Sequence, residues 1–159
     1  MKTKILSILF AIVLSWLLLG FTQQQATGSL LVTNAKTNKS INVCEMNSVQ
    51  KIEAILGGAK SLNKEVLEPN EEPVYIFTYD GLTIEMQNDR IMEVTISNKK
   101  WKLNTLSVGI TVAQMSLKFE RSEFDYLKNP RFIVKNSKAN LFAEIDEATN
   151  IVKKIRILF

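Results

Sequence analysis

A polar cap followed by apolar residues at i, i+3 and i+7 occurs twice in this chain, 63 positions apart, and each time three strand-like segments follow. The first run, Asn47-Ser48-Val49-Gln50-Lys51-Ile52, leads to Leu56, so that Val49, Ile52 and Leu56 share one helical face. The second, Ile110-Thr111-Val112-Ala113-Gln114-Met115, leads to Phe119 and repeats the stripe as Val112, Met115 and Phe119. Internal repetition of a supersecondary unit decides the fold before any local propensity does. Here it predicts an α+β fold of two tandem units. Each is a short N-terminal helix or helices packed on a three- to four-stranded antiparallel meander. The first unit, with a lead-in hairpin, takes residues 27–103 and the second takes 104–159.

The N-terminus stands apart from that pattern. Lys2 and Lys4 precede an almost wholly apolar stretch from Ile5 to Gly20, and Thr22 to Gly28 is small and polar. This is the layout of a secretory signal peptide over residues 1–22, with cleavage after Thr22 or as late as Ala26. The competing reading is a retained N-terminal anchor. A lipoprotein would need its cysteine directly after the apolar run, whereas Cys44 lies more than twenty residues further on. The expectation is an exported protein, periplasmic or extracellular, with no stable membrane anchor after cleavage.

What remains is about 135 residues carrying 18 lysines and arginines against 16 acidic residues, a net charge of +2. No lysine/arginine stripe interleaved with aromatics appears, so nucleic acid is not an expected partner. The single cysteine excludes an internal disulfide, and Cys44 reads as a half-buried small hydrophobe. There is no histidine, which removes Ser-His-Asp and Cys-His catalysis and histidine-ligated zinc. Gly57-Gly58 follows a helix instead of opening one, so it marks a C-cap and not a phosphate loop. No Asp-rich ligand loop is present. No catalytic residue, metal site or cofactor is expected.

Leu30–Thr33 and Ile41–Val43 read as the lead-in hairpin, and Ser48–Leu56 as the first helix, with Asn47 as N-cap and Gln50 closing a capping box. Lys60–Pro73 reads as a loop with Pro69-Asn70-Glu71-Glu72-Pro73 at its tip. Asp80-Gly81 between Val74–Tyr79 and Leu82–Gln87 predicts a type I′ hairpin. That turn sets Tyr79 opposite Leu82, Phe77 opposite Ile84 and Tyr75 opposite Met86. With Asn88-Asp89-Arg90 as a three-residue loop, Met92, Val94 and Ile96 of the next strand oppose Met86, Ile84 and Leu82. In the second unit Thr111 caps and Gln114 completes a capping box, Ser122–Asp125 adds a helical turn, and Phe132–Lys135, Asn140–Ile145 and Ile151–Phe159 supply strands. Trp101 and Leu103 read as packing at the joint.

Residues 44–159 resemble the β-lactamase-inhibitor-protein fold, whose single units also occur in small outer-membrane assembly lipoproteins. The shared motif is a glycine leading into a capped helix and a leucine-glycine closing it. Val108-Gly109-Ile110-Thr111 matches the start in unit two and Leu56-Gly57 the end in unit one. Met46 stands for the leading glycine in the first unit, and Glu120 for the closing glycine in the second. The resemblance implies an inhibitor or an immunity-type protein.

The sheet face turned away from the helices is the candidate site. It would carry Ile76, Thr83, Glu85 and Glu93 from the first unit, with Val74 and Thr95 beside them. The second unit would add Phe142, Lys154 and Arg156, with Asn140 and Glu144. One half would be acidic and the other more basic. Charges steer docking and buried aromatics supply energy, so the face suits another protein as partner. The alternatives are a structural factor for envelope or outer-membrane assembly and, further off, a small carboxylate-dependent enzyme.

Overall fold

The structure, a computed structural model, describes residues 28–159 apart from Phe124 and Tyr126. The expected signal segment and both of its cleavage sites lie outside the described residues. The strands and helices are β1 (Leu31–Asn34), β2 (Ser40–Asn42), α1 (Val49–Leu56), β3 (Ser61–Glu65), β4 (Val74–Tyr79), β5 (Leu82–Gln87), β6 (Arg90–Ile96), β7 (Trp101–Leu103), α2 (Val112–Ser116), β8 (Glu120–Arg121), β9 (Arg131–Ile133), β10 (Asn140–Asp146) and β11 (Ile151–Leu158). They form an eight-stranded antiparallel sheet, ordered β3-β4-β5-β6-β11-β10-β9-β8, and a three-stranded sheet ordered β2-β1-β7. Among the described residues the architecture is mostly antiparallel sheet with two short helices.

Alternation in β4, β5 and β6 points Phe77, Ile84, Val94 and Ile96 inward, and each is fully buried. From β10 and β11, Leu141, Ala143, Ile155 and Ile157 continue the same surface. One buried cluster joins these to Ile52 and Leu56 of α1, to Met115 of α2 with Phe119 beyond it, and to Val32, Ile41 and Leu103 of the small sheet. The two helices and the small sheet therefore share a single core with the large sheet. The lead-in hairpin forms as β1–β2, but Trp101 and Leu103 do more than fill a joint: as β7 they pair with β1. The Trp101 Nε1 donates to the Asp80 carbonyl at 2.9 Å, and its ring meets Tyr79 edge-on at 5.5 Å between centroids.

Several local expectations are corrected. Ser48, not Asn47, caps α1, its Oγ accepting from the Lys51 N–H at 3.2 Å, so Gln50 cannot close a capping box. Asn47 is instead buried and donates through Nδ2 to the carbonyls of Asn42 and Glu45, bracing the turn before the helix. Ser61–Glu65, placed within a loop by its polarity, pairs along β4 as an edge strand. Its five residues are all exposed, so backbone pairing and not apolar alternation holds it. The Asp80-Gly81 turn keeps the expected register, yet only Gly81 has a positive φ (+80°), the pattern of a type II turn and not of type I′. Asn98 Nδ2 and Trp101 Nε1 both hold the Asp80 carbonyl, so contacts from the next connection select the turn. The paired positive φ values fall on Asn88 and Asp89, at +52° and +56°. That two-residue turn pairs Gln87 with Arg90, and Met86 faces Ile91 instead of Met92. A bulge leaves Met92 turned out and 46% exposed while Glu85 still opposes Glu93. Ser122, Glu123 and Asp125 form no helical turn; Arg121 of β8 instead donates to the Asp125 carboxylate at 2.7 Å.

α2 keeps the expected reciprocal Thr111–Gln114 capping box but ends at Ser116, so Phe119, expected on its apolar stripe, lies beyond the helix. A further parallel joins the two stretches. β10–β11 carries a bulge after Glu144, as β5–β6 does after Glu85. Each last strand also opens on a bridge to the segment before its helix, Arg90 to Met46 and Ile151 to Thr111.

Candidate functional site

β6 pairs with β11, and this brings the outer-face residues of the two stretches onto one surface. Across it, Ile76 faces Glu85, Glu85 faces Glu93 and Glu93 faces Leu158. In the adjacent row Thr83 faces Thr95, Thr95 faces Arg156 and Arg156 faces Phe142. Lys154 sits opposite Glu144 and donates to it at 2.6 Å. All seven predicted residues, Ile76, Thr83, Glu85, Glu93, Phe142, Lys154 and Arg156, thus lie on the one face.

The division into an acidic and a basic half does not hold, because the seam joins the charges. Arg156 donates through Nε and Nη2 to the two oxygens of Glu93, both at 2.9 Å. Such a fork-to-fork pair is the strong form of a carboxylate contact. Thr95 Oγ1 donates to Glu93 as well, at 3.1 Å. The Arg156 hydrogen bonds hold the Glu93 carboxyl below the usual carboxylate range, against the pull of its partial burial. Glu85 shifts the other way. Burial raises it first, and the charges of Glu93 and Glu65 add to that, while Arg156 offsets them only through space. The Arg156 guanidinium lies within range of Glu93, Glu85 and Glu144 and is hydrogen-bonded to Glu93.

The connection after β8 reaches the same face. Leu127, 75% exposed, lines a cavity of about 380 Å³ with Asn129, Phe142, Glu144, Arg156 and Leu158. Leu127 and Lys128 adopt positive φ, +50° and +63°. Leu158 is legible, since it alternates with Arg156 on β11; Glu65 is not, because the polarity of β3 reads as loop, and nothing in the sequence points to Leu127. Val74, expected among the face's apolar contacts, is buried.

Among the described residues no group of three or more His, Cys, Asp or Glu is placed to hold a metal ion. Nor is any helix there long and apolar enough to cross a membrane. Cys44 is half-buried against the core, its Sγ 3.6 Å from Ser137 Oγ.

No protein-family model matches the chain, and no curated protein does. Among solved structures it is similar to a cysteine-rich secretory protein from Staphylococcus aureus subsp. aureus Mu50, with a TM-score of 0.49 and 13% identity. The match covers 79% of this chain and 48% of that one, so the chain spans about half the length of its structural neighbour.

Proposed function

We propose that this is an exported, non-enzymatic protein-binding module of two related helix-plus-meander units, and that it grips another protein with the outer face of the eight-stranded sheet. The matching bulges and bridges support the duplication. The two lysines before the apolar stretch of residues 5–20 and the small polar segment after it support export. Binding rests on one observation: Glu85 and Glu93 stand directly opposite each other, and Arg156, on the far side of Glu93 from Glu85, is engaged by Glu93. Directly opposed like charges cost a sheet a few tenths of a kcal/mol. A lysine or arginine from a partner, set over Glu85, relieves that cost on binding. Phe142, Leu158 and Ile76 supply the apolar contact around it. The β-lactamase-inhibitor-like pattern of the helices favours an inhibitor or immunity-type role.

Photo-crosslinking in the producing cell tests this. A benzophenone side chain at Thr83 or Thr95 should yield a discrete protein adduct, which Glu93→Lys should weaken. The same probe at Lys118, beyond α2, should yield none. Adducts from Lys118 alone would overturn the reading.

A further inference from the structure

We infer that a second site, a lysine-walled groove at the end of the molecule holding the Asp80-Gly81 turn, binds an acidic peptide segment that carries an apolar anchor. The groove has a volume of about 920 Å³ and shares no lining residue with the cavity on the outer face. Three connections build it: the β1–β2 turn, the segment after α1, and the β6–β7 turn, with Asp80 between them. Lys36, Lys60, Lys99 and Lys100 line it. Asp80 is the one acidic group among the lining residues, and its carboxylate is paired with Lys100. Four lysines against one aspartate leave an excess of +3 here, more than the +2 that 18 basic and 16 acidic residues leave beyond the N-terminal segment. The positive charge of the protein is concentrated at this groove, and such focusing draws anionic ligands.

The chemistry of the lining narrows the occupant. Leu56, Tyr79 and Trp101 form the floor, and long lysine stems leave apolar surface below their charged ends. Tyr79 donates its hydroxyl to the Gly57 carbonyl at 3.1 Å, and Trp101 Nε1 is taken by Asp80, so both rings are held in place. Leu56, Tyr79 and Trp101 are 9%, 8% and 3% exposed, so they offer little apolar surface for insertion into a bilayer. The charges are all lysine. Lysine acts as a point charge and lacks the planar fork that phosphate recognition exploits, which suits carboxylates distributed along a chain. An extended peptide alternating acidic and apolar side chains meets both requirements.

Gly58 gives a clean way to fill the groove. Nothing lies within 4 Å of the position its Cβ would take, and its φ is not positive, so Gly58→Glu places a carboxylate there without strain.

The test is fluorescence anisotropy with a fluorescein-labelled octapeptide of alternating Glu and Leu. Saturable binding should weaken with added salt. It should fall roughly tenfold or more in Lys60→Glu/Lys99→Glu and in Gly58→Glu, by analogy with charge reversal at other complementary interfaces. Lys118→Glu/Lys138→Glu, equal in charge change to the double groove variant but outside the groove, should leave it intact, with unchanged melting of every variant as the folding control. The Lys-Leu octapeptide should not bind, and the Glu-Ser octapeptide should bind more weakly than Glu-Leu. The inference is overturned by absence of saturable binding or by indifference to both groove variants. It is equally overturned by equal binding of Glu-Ser, or by phosphatidylglycerol vesicles binding where the peptide does not.

Discussion

Arg156 is the residue on which the electrostatics of the outer face turn. It joins the two meanders chemically, forking onto Glu93 across the seam while Glu85 and Glu144 lie within range of its charge. Glu93, with its folded-state pKa depressed, adds stability above the unfolded carboxylate value of about 4.3, and this is lost as pH falls through the folded value. Glu85, with its pKa raised, does the reverse: the fold is favoured below the unfolded value and loses stability as pH rises through the folded one. Glu85→Gln should therefore stabilise the protein at neutral pH by a few tenths of a kcal/mol, the size of an opposed pair in a sheet. That gain should vanish near pH 4, where the parent side chain is itself becoming neutral. Arg156→Met should cost about 1 kcal/mol at neutral pH, the upper range for a partly exposed ion pair, and less in acid. Denaturant melts of the parent and both variants at the two pH values check this. Differences that do not change with pH would show that the shifts play no part in stability.

At the level of elements, the most exacting position is Gly81. Its φ of +80° belongs to the left-handed region, and a Cβ there would lie 2.0 Å from Asn98 Nδ2. Gly81→Ala should cost more than the roughly 1–2 kcal/mol of the backbone conformation alone, because Asn98 must release the Asp80 carbonyl to make room. A thermal melt within 1 kcal/mol of the parent would mean that the turn readily changes type. The hairpin around this turn was legible because Asp-Gly and six alternating apolar residues specify the same register. The start of α2 was legible from its capping box, but its end was not, since Phe119 of the apolar stripe falls past Ser116. Elsewhere one local signal competed with another. Asn47 and Ser48 are both good caps, and only the buried carbonyls of Asn42 and Glu45 decide that Asn47 is used elsewhere. Ile91-Met92 offers two adjacent apolar side chains, and the bulge chooses Ile91 for the core. β3 has no apolar alternation to read, so its pairing depends on β4 being there first. The same omission hid Glu65, whose charge bears on Glu85.

For the whole molecule, the decisive contact is between strands far apart in sequence, β6 and β11, with Ile96 against Ile155 and Val94 against Ile157. Local pattern specifies each meander but carries no information on how two meanders meet, and this is why a boundary at 103/104 was all the sequence could offer. Once they share a sheet, Phe119 near α2 and Trp101 in β7 belong to one buried cluster. Two stretches that share a core should unfold together, since neither keeps its apolar face covered when the other opens. In a chain carrying Trp16→Phe, fluorescence then reports on Trp101 alone. Its transition should coincide with that seen by far-ultraviolet circular dichroism. Phe119→Ala should cost about 3 kcal/mol, as loss of a large core side chain does, and should shift both transitions equally, although the substitution lies outside the strands that hold Trp101. If circular dichroism moves and the Trp101 transition stays in place, the seam is a docking of two separately folding domains. The outer face would then straddle the interface between them, and binding there would depend on their docking as well as on Glu85 and Arg156.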